Sequence, residues 1–419
     1  MVIWLINHYA VPAKYYPLIR TPNFAKYLMN LGYKVIVFSA SSVHNSTINL
    51  STNGKPFQEE TVDGIHYVYV RCRSYKGNGV ARIVNMFEFA CRLKSVCEKF
   101  QKPDMVLSSS ATPLACRAGL QIAKKYKVRA VAEIVDLWPE SFVAYGFIRK
   151  SNPLLIPMYL FEKKMYEYAD DIIFSFEGGY DYIKERGWEE DIPRDKVHYI
   201  NNGVDLEAFD YDKEHYQIDD EDLRNKELFK VVYTGSIRRV NNLGKLLDAA
   251  KRIHNPRIKF LIWGKGDELS ALEQRVTSED IQNVVFKGYI DKKYIPYITS
   301  CADLNILHSE SASVLQYGIS LNKMFDYMAA GKPIFVDFLC KYNPVLQCGA
   351  GVEAGSLAAD DIAKGVEAFV DMDAETYASY CRNARRGAES YDFKNLTKKL
   401  LKIMIGDQFD ERKIASKNQ

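Results

Sequence analysis

A chain of 419 residues with 47% hydrophobic side chains and a net charge of +3 holds enough apolar material for two ordinary domains. Its basic residues lack the dense clustering of a nucleic-acid reader. The apolar run near the start, Val2 to Ile6, is too short for a secretory leader core or a membrane span, which points to a cytoplasmic protein. Eight cysteines, at 72, 91, 97, 116, 301, 340, 348 and 381, form no Cys-x-x-Cys pair and no compact framework, so reduced, packed thiols are expected. Charge is uneven: residues 1–200 carry 26 Lys and Arg against 20 Asp and Glu, and residues 201–419 carry 30 against 33. A basic first half suits an anionic lipid or a pyrophosphate-linked partner, although an ordinary solvated surface reads the same way.

In chain order, short apolar runs predict strands at Val2 to Asn7, Lys34 to Ala40, His66 to Arg71, Met105 to Ser109, Ala130 to Val135, Ile172 to Ser175 and Val197 to Ile200. A helix from Thr21 to Leu31 is ended by Gly32. Helical patterns over Gly79 to Phe100 and Pro153 to Tyr168 carry apolar residues flanked by Lys and Arg; packing on a sheet and contact with a membrane surface both fit them. Asn202-Gly203-Val204-Asp205 ends the first half, and the acidic stretch Asp210 to Glu227 reads as a linker. In the second half strands are predicted at Lys230 to Thr234, Lys259 to Trp263, Val284 to Lys287, Leu304 to Leu307, Pro333 to Asp337 and Gly351 to Glu353, with a final helix over Asn395 to Ile405. The alternation of strands and helices specifies an α/β protein of two Rossmann-like domains, 1–205 and 206–389, with residues 390–419 returning to the first.

Several motifs sit at the predicted ends of strands, where parallel sheets bind ligands. Gly235-Ser236-Ile237-Arg238-Arg239 offers two guanidinium forks to a phosphate, and Gly264-Lys265-Gly266 supplies a turn against a base or phosphate or a plain strand-to-helix turn. Ser320, Asn322, Lys323 and Asp326 gather a hydroxyl, an amide, a cation and a carboxylate at the start of a helix closed by Gly331 and Pro333. In the first half, Asp136, Trp138 and Glu140 follow a buried strand, His8 follows the first strand, and Arg20 offers an anion contact or a surface charge. Asp371-Met372-Asp373 lies in a charged helical stretch and reads as a solvated face, so no metal site is expected.

Asn322 to Pro333, with Gly235 to Arg239 and Asn202 to Asp205, resembles the nucleotide-sugar half of a family 4 glycosyltransferase. Asp136-Leu137-Trp138-Pro139-Glu140-Ser141 is similar to its bacterial surface-polysaccharide branch, whose members include N-acetylfucosaminyl transferases. The resemblance implies a GT-B fold, two domains facing each other across a cleft with a last helix crossing back. It further implies a retaining, metal-independent transferase using a UDP-sugar, with an acetamido sugar passed to a lipid-linked or growing saccharide in lipopolysaccharide or capsule synthesis. No cofactor is implied. The protein would be cytoplasmic, peripheral on the inner face of the membrane.

By the same resemblance Arg238, Arg239 and Lys323 face the diphosphate and Asp136 takes a catalytic place on the acceptor side. Gly264, Lys265, Gly266, Tyr289 and Ile290 frame the base, and Asp326 binds the ribose. His8, Arg20, Trp138, Glu140 and Asn202 are assigned to the acceptor side or the hinge. The chain departs from the family at Gly318, where a glutamate is usual and for which Glu310 is a candidate substitute, at Val135, where a histidine is usual, and at Asn241, where a lysine is common. A GT-B sugar-nucleotide 2-epimerase and a non-catalytic donor-binding partner of a transferase complex are the rival readings.

Overall fold

The computed structural model describes residues 1–406 except 17, 18, 52 and 78, so positions 407–419 of the expected returning segment lie outside the described residues. The chain forms two compact units, residues 1–201 with the chain from Phe393 onward, and Asn202–Asp392.

The first unit is built on β1 (Val2–Ile6), β2 (Lys34–Ala40), β3 (Phe57–Val62), β4 (Ile65–Val70), β5 (Met105–Ser109), β6 (Arg129–Ile134), β7 (Asp171–Phe174) and β8 (Val197–Tyr199), in the order β3-β4-β2-β1-β5-β6-β7-β8. Every pairing is parallel except β3 on β4. Strands β1, β5 and β7 bury every residue, as they must when helices cover both faces of a parallel sheet. Covering helices include α1 (Arg20–Asn30), α2 (Val80–Cys97), α3 (Pro113–Tyr126), the short α4 (Glu140–Ala144) and α5 (Leu155–Tyr168). Strand order reverses between β1 and β5, which places the loops after them at a topological switch point.

Strand β3 escapes the sequence reading. Its alternation is interrupted by the acidic pair Glu59 and Glu60, yet the following Asp63-Gly64, both at positive φ, is a two-residue hairpin turn that predicts it. The last helix, Phe393–Ile405, buries Phe393, Leu396, Leu400, Leu401 and Met404 in the same core as Phe24 and Leu28 of α1; the Phe24 and Phe393 rings meet edge to face at 5.4 Å.

The second unit carries β9 (Phe229–Thr234), β10 (Ile258–Trp263), β11 (Val284–Gly288), β12 (Leu304–Leu307), β13 (Ile334–Val336) and β14 (Gly351–Glu353), all parallel, in the order β11-β10-β9-β12-β13-β14. Its switch point lies between β9 and β12.

Two expectations need correction. The stretch Asp210 to Glu227, predicted as an acidic linker, holds the second half of the helix Leu206–His215 and the whole of Glu221–Arg224, which Asp220 caps and which buries Leu223. Its carboxylates are structural: Lys287 donates to Asp220 at 2.7 Å and Lys259 to Asp222 at 2.7 Å, tying the segment to the sheet edge. Asp371 and Asp373 lie between two helices rather than on a helix face, and Asp373 caps the second by accepting from the Thr376 N–H at 2.9 Å.

Candidate active-site residues in each unit

In the second unit the loop after β9 and the loop after β12 leave from neighbouring strands. Gly235 N–H donates to the Trp263 carbonyl at 3.0 Å and Ile237 N–H to the Lys265 carbonyl at 3.0 Å, so the arginine loop lies flat along the turn after β10. This is why that turn needs glycines: a Cβ on Gly264 would stand 1.9 Å from the Gly235 carbonyl oxygen, and one on Gly266 would stand 1.8 Å from that of Ile237. Backbone packing thus accounts for both. Arg238 and Arg239 follow immediately, exposed, and neither has a hydrogen-bonding or acidic partner among the described residues.

Lys323 Nζ donates to Tyr233 Oη at 3.0 Å and to the His308 carbonyl at 3.1 Å, and lies 4.2 Å from the centre of the Tyr233 ring. Burial holds its amine below the ordinary lysine value, with Tyr327 and Asp337 pulling the other way. An anion at this amine would favour its charged form. Asp326, on the helix Asn322–Ala329, is half-buried; its carboxyl is raised by burial and has no hydrogen-bond partner among the described residues. It is a strong acceptor left open.

Ser320 and Asn322 do a different job. The Asn202 N–H donates to Ser320 Oγ at 3.3 Å and the Asn202 amide donates to Asn322 Oδ1, so these three residues pin the start of the unit. Ser236 Oγ donates to Asn241 Oδ1 at 3.2 Å, which makes Asn241 a brace of the arginine loop. Lys265 Nζ rests 3.6 Å from the centre of the exposed Tyr289 ring, while Ile290 packs on the core beside Trp263. Glu310 accepts from Lys245 at 2.7 Å and from Asn242; burial acts to raise its pKa, but these donors outweigh it and hold it low. Its oxygens are engaged rather than open. Gly318 has φ +113°, a backbone conformation that a glutamate there would rarely adopt.

Sequence reasoning missed the support behind the arginine loop. His308 follows β12, with Nδ1 2.5 Å from Asp337 Oδ2 and Nε2 3.1 Å from the Asn242 carbonyl. Both ring nitrogens are engaged, so the imidazole ties the end of β12 to the arginine loop. A histidine next to a strand's carboxyl end was the available signal.

In the first unit most candidate residues are committed to the protein. Arg20 is buried; its guanidinium donates to Glu133 Oε1 at 2.8 Å and to the carbonyls of Asn201 and Ile200 at 2.6 and 2.9 Å. The expected anion contact is replaced by a clamp on the chain leaving β8. His8 is wholly buried, and its Nε2 lies 2.7 Å from Asn85 Oδ1, whose amide nitrogen donates to the Arg73 carbonyl. Burial lowers the His8 pKa to about 3, so it is a neutral structural imidazole with Nε2–H as donor. Glu140 accepts from Tyr159 Oη at 2.5 Å and lies 4.0 Å from Arg186.

Asp136 and Trp138 are less bound. Desolvation raises the Asp136 carboxyl although the residue retains exposed surface, and Arg82 acts in the opposite direction. Its carboxylate has no hydrogen bond among the described residues. Arg82 itself donates to Tyr9 Oη at 2.9 Å. Trp138 meets Phe142 edge to face at 4.6 Å, and its buried Nε1–H finds no acceptor among the described residues.

Residues 20–208 match the family Glycosyltransferase Family 4, and residues 216–387 match Glycosyl transferases group 1. A curated relative, TuaH of Bacillus subtilis, named as a glycosyltransferase of teichuronic acid biosynthesis, is 28% identical over 174 residues, a match that spans 41% of this chain and 41% of that one. Sucrose-phosphate synthase from Thermosynechococcus elongatus aligns with a TM-score of 0.70 at 16% identity, covering 96% of this chain and 98% of that one. Anabaena Alr3699/HepE, solved in complex with UDP, aligns at 0.64 and 12% identity over 96% and 98%. The chain thus carries a Glycosyltransferase Family 4 domain followed by a glycosyl transferases group 1 domain, on two Rossmann-like units that share the fold of these solved structures.

Proposed function

We propose that this enzyme transfers a sugar, of acetamido type, from a UDP-sugar to a lipid-linked or growing saccharide with retention of configuration, in the synthesis of a bacterial surface polysaccharide. The observation that carries the reading is the contrast in the second unit between satisfied and open groups. Arg238, Arg239 and Asp326 have no side-chain partner among the described residues, whereas Lys323, Asn241, His308 and Glu310 do. Charge without an internal partner at a switch point is arranged for a ligand. Two guanidinium groups and the Lys323 amine suit a diphosphate, and a carboxylate that accepts two hydrogen bonds suits a ribose diol. HepE, of similar fold, binds UDP.

When the bond between the anomeric carbon and the diphosphate oxygen breaks, negative charge grows on the departing UDP. Cations fixed beforehand around that oxygen lower the barrier because they need not reorganise. In this proposal Arg238, Arg239 and Lys323 supply the charge that a divalent cation supplies in other transferases, and no cofactor takes part. Asp136 serves the acceptor. Among the described residues no helix is long and apolar enough to cross a membrane; we place the enzyme on the cytoplasmic face, in peripheral contact with the bilayer.

A panel of nucleotide sugars screened by thermal shift tests the donor, since a ligand bound only by the folded state raises the melting temperature. UDP-sugars should stabilise the chain and release UDP slowly without acceptor, with undiminished rate in EDTA. Stabilisation by no uridine nucleotide would overturn the reading. Asp136→Asn should damage transfer far more than UDP binding.

A further inference from the structure

We infer that an apolar pocket in the first unit holds the hydrocarbon chain of a phosphate-bearing lipid, with the phosphate at Arg82. This deepens the function proposed above and rests on it for the identity of the reaction: it selects a lipid phosphate over a free saccharide as the acceptor.

The pocket has a volume of about 710 Å³ and is walled by α2 and α5. That is within the range of about 300 to 1,000 Å³ typical of small-molecule sites. Of the twelve residues lining it, Arg82 alone is charged. Arg82, whose guanidinium also donates to Tyr9 Oη at 2.9 Å, is thus the cation available to a ligand in this pocket. A lining of hydrocarbon with a single cation and no acidic side chain complements one chemistry, an apolar chain ending in an anionic oxygen-rich head. A peptide or a nucleoside would bring donors that meet no acceptor side chain here.

The rim points the same way. Helices of a soluble domain turn their apolar stripe inward, and α2 does so at Phe89, Leu93 and Val96. Part of α2, part of α5 and the loop before α5 carry apolar side chains outside: Phe87 is 53% exposed, Leu160 57%, and the loop residues Phe147 and Leu154 66% each. An exposed apolar patch of this kind marks an interaction surface. Arg149 and Lys150, between Phe147 and Leu154, are exposed and have no acidic partner among the described residues. Residues 1–150 carry 20 Lys and Arg against 9 Asp and Glu, a balance that draws anionic lipid. The lipid would enter from a membrane held at this rim, chain between the helices, phosphate beside the corner that carries Asp136.

The full chain is titrated with inorganic phosphate, octyl phosphate, dodecyl phosphate and dodecanol, all below micelle-forming concentrations, by calorimetry, with UDP binding measured in parallel. Each methylene taken from water contributes roughly a fourfold gain in affinity, so dodecyl phosphate should bind at least tenfold more tightly than octyl phosphate, and inorganic phosphate weakly. Met158→Trp, which fills the pocket, should abolish the chain-length dependence, and Arg82→Gln should reduce the preference for dodecyl phosphate over dodecanol. Ile83→Asp, at the open rim, repeats the first test should Met158→Trp fail to fold. Equal affinity for the two alkyl phosphates, or unchanged binding in the filled and rim variants with UDP binding intact, would overturn the pocket. Binding to anionic vesicles that the filled variant retains, without chain-length dependence, would overturn it too and assign the face to the bilayer alone. Loss of UDP binding by the wild type would count against the donor reading and leave the alkyl-phosphate result to judge the pocket.

Discussion

The two units use the same kinds of residue in opposite ways. In the second, Arg238, Arg239 and Asp326 stand open while His308, Asp337, Tyr233 and Glu310 brace the backbone that presents them. In the first, Arg20 and Glu140 are consumed by internal partners, His8 is buried with Nε2 on Asn85, and a pocket of hydrocarbon with one cation takes the place of a charged cluster. The lesson is that residue type and position at a strand end are insufficient to mark a site. Exposed Arg238 and Arg239 are solvated without a partner and so stay available to a ligand, whereas a buried charge left unpaired costs several kcal/mol, which is why the fold pairs Arg20 with Glu133.

The comparison can be broken first where burial is most complete. Glu162 on α5 accepts from Tyr166 and Tyr182, each at 2.7 Å, but desolvation outweighs both and raises its pKa from 4.5 to about 8. The folded state therefore holds a proton that the unfolded state has lost between those two values. Stability from this group is full below pH 4.5 and falls as pH rises through about 8, by up to about 1.4 kcal/mol per pH unit. Glu162→Gln should flatten that decline in urea unfolding curves taken from pH 5 to 8. An unchanged slope would show that Glu162 is ionised in the fold.

Arg20→Gln removes one partner of a buried ion pair and leaves Glu133 uncompensated, which typically costs about 3 to 5 kcal/mol. Chemical denaturation should show that loss with the affinity for UDP unaltered. If UDP affinity falls while stability holds, Arg20 belongs to the ligand site after all.

Arg239→Ala should do the reverse. As an exposed residue without internal partners it should alter stability by no more than about 0.5 kcal/mol, while turnover drops by roughly a hundredfold, as loss of a fixed charge at a developing anion does. Near-normal turnover would move the diphosphate to Arg238 and Lys323. The smallest effect is expected for Asp326→Asn, which keeps the shape but loses the charged acceptor; UDP should bind about tenfold more weakly, the loss of one charge-assisted hydrogen bond. Equal calorimetric affinity would reject the ribose contact.

Much of the architecture was legible in one dimension. The parallel strands announce themselves as short apolar runs because both their faces are covered, and the predicted edges of β2, β5, β12 and β14 coincide with the observed ones. The loops Gly235 to Arg239 and Asp136 to Glu140 follow from the rule that parallel sheets offer their carboxyl ends to ligands. The acidic segment after the hinge failed the same treatment, since its carboxylates are spent on Lys259 and Lys287 of the sheet and on helix caps.

Local pattern therefore determined the secondary structure, the two-domain plan and the family motifs, all of which depend on residues close together in sequence. Tertiary structure alone decided which of the motif residues remain open. Arg20 meets its partners 113, 180 and 181 positions away, and His8 meets Asn85 77 positions away. The same holds for the glycines after β10, set by a carbonyl from the loop after β9, and for the apolar pocket, which exists only because α2 and α5 stand apart over Trp138. Periodicity is a property of neighbours along the chain, whereas the satisfaction of a hydrogen bond or the filling of a cavity depends on neighbours in space.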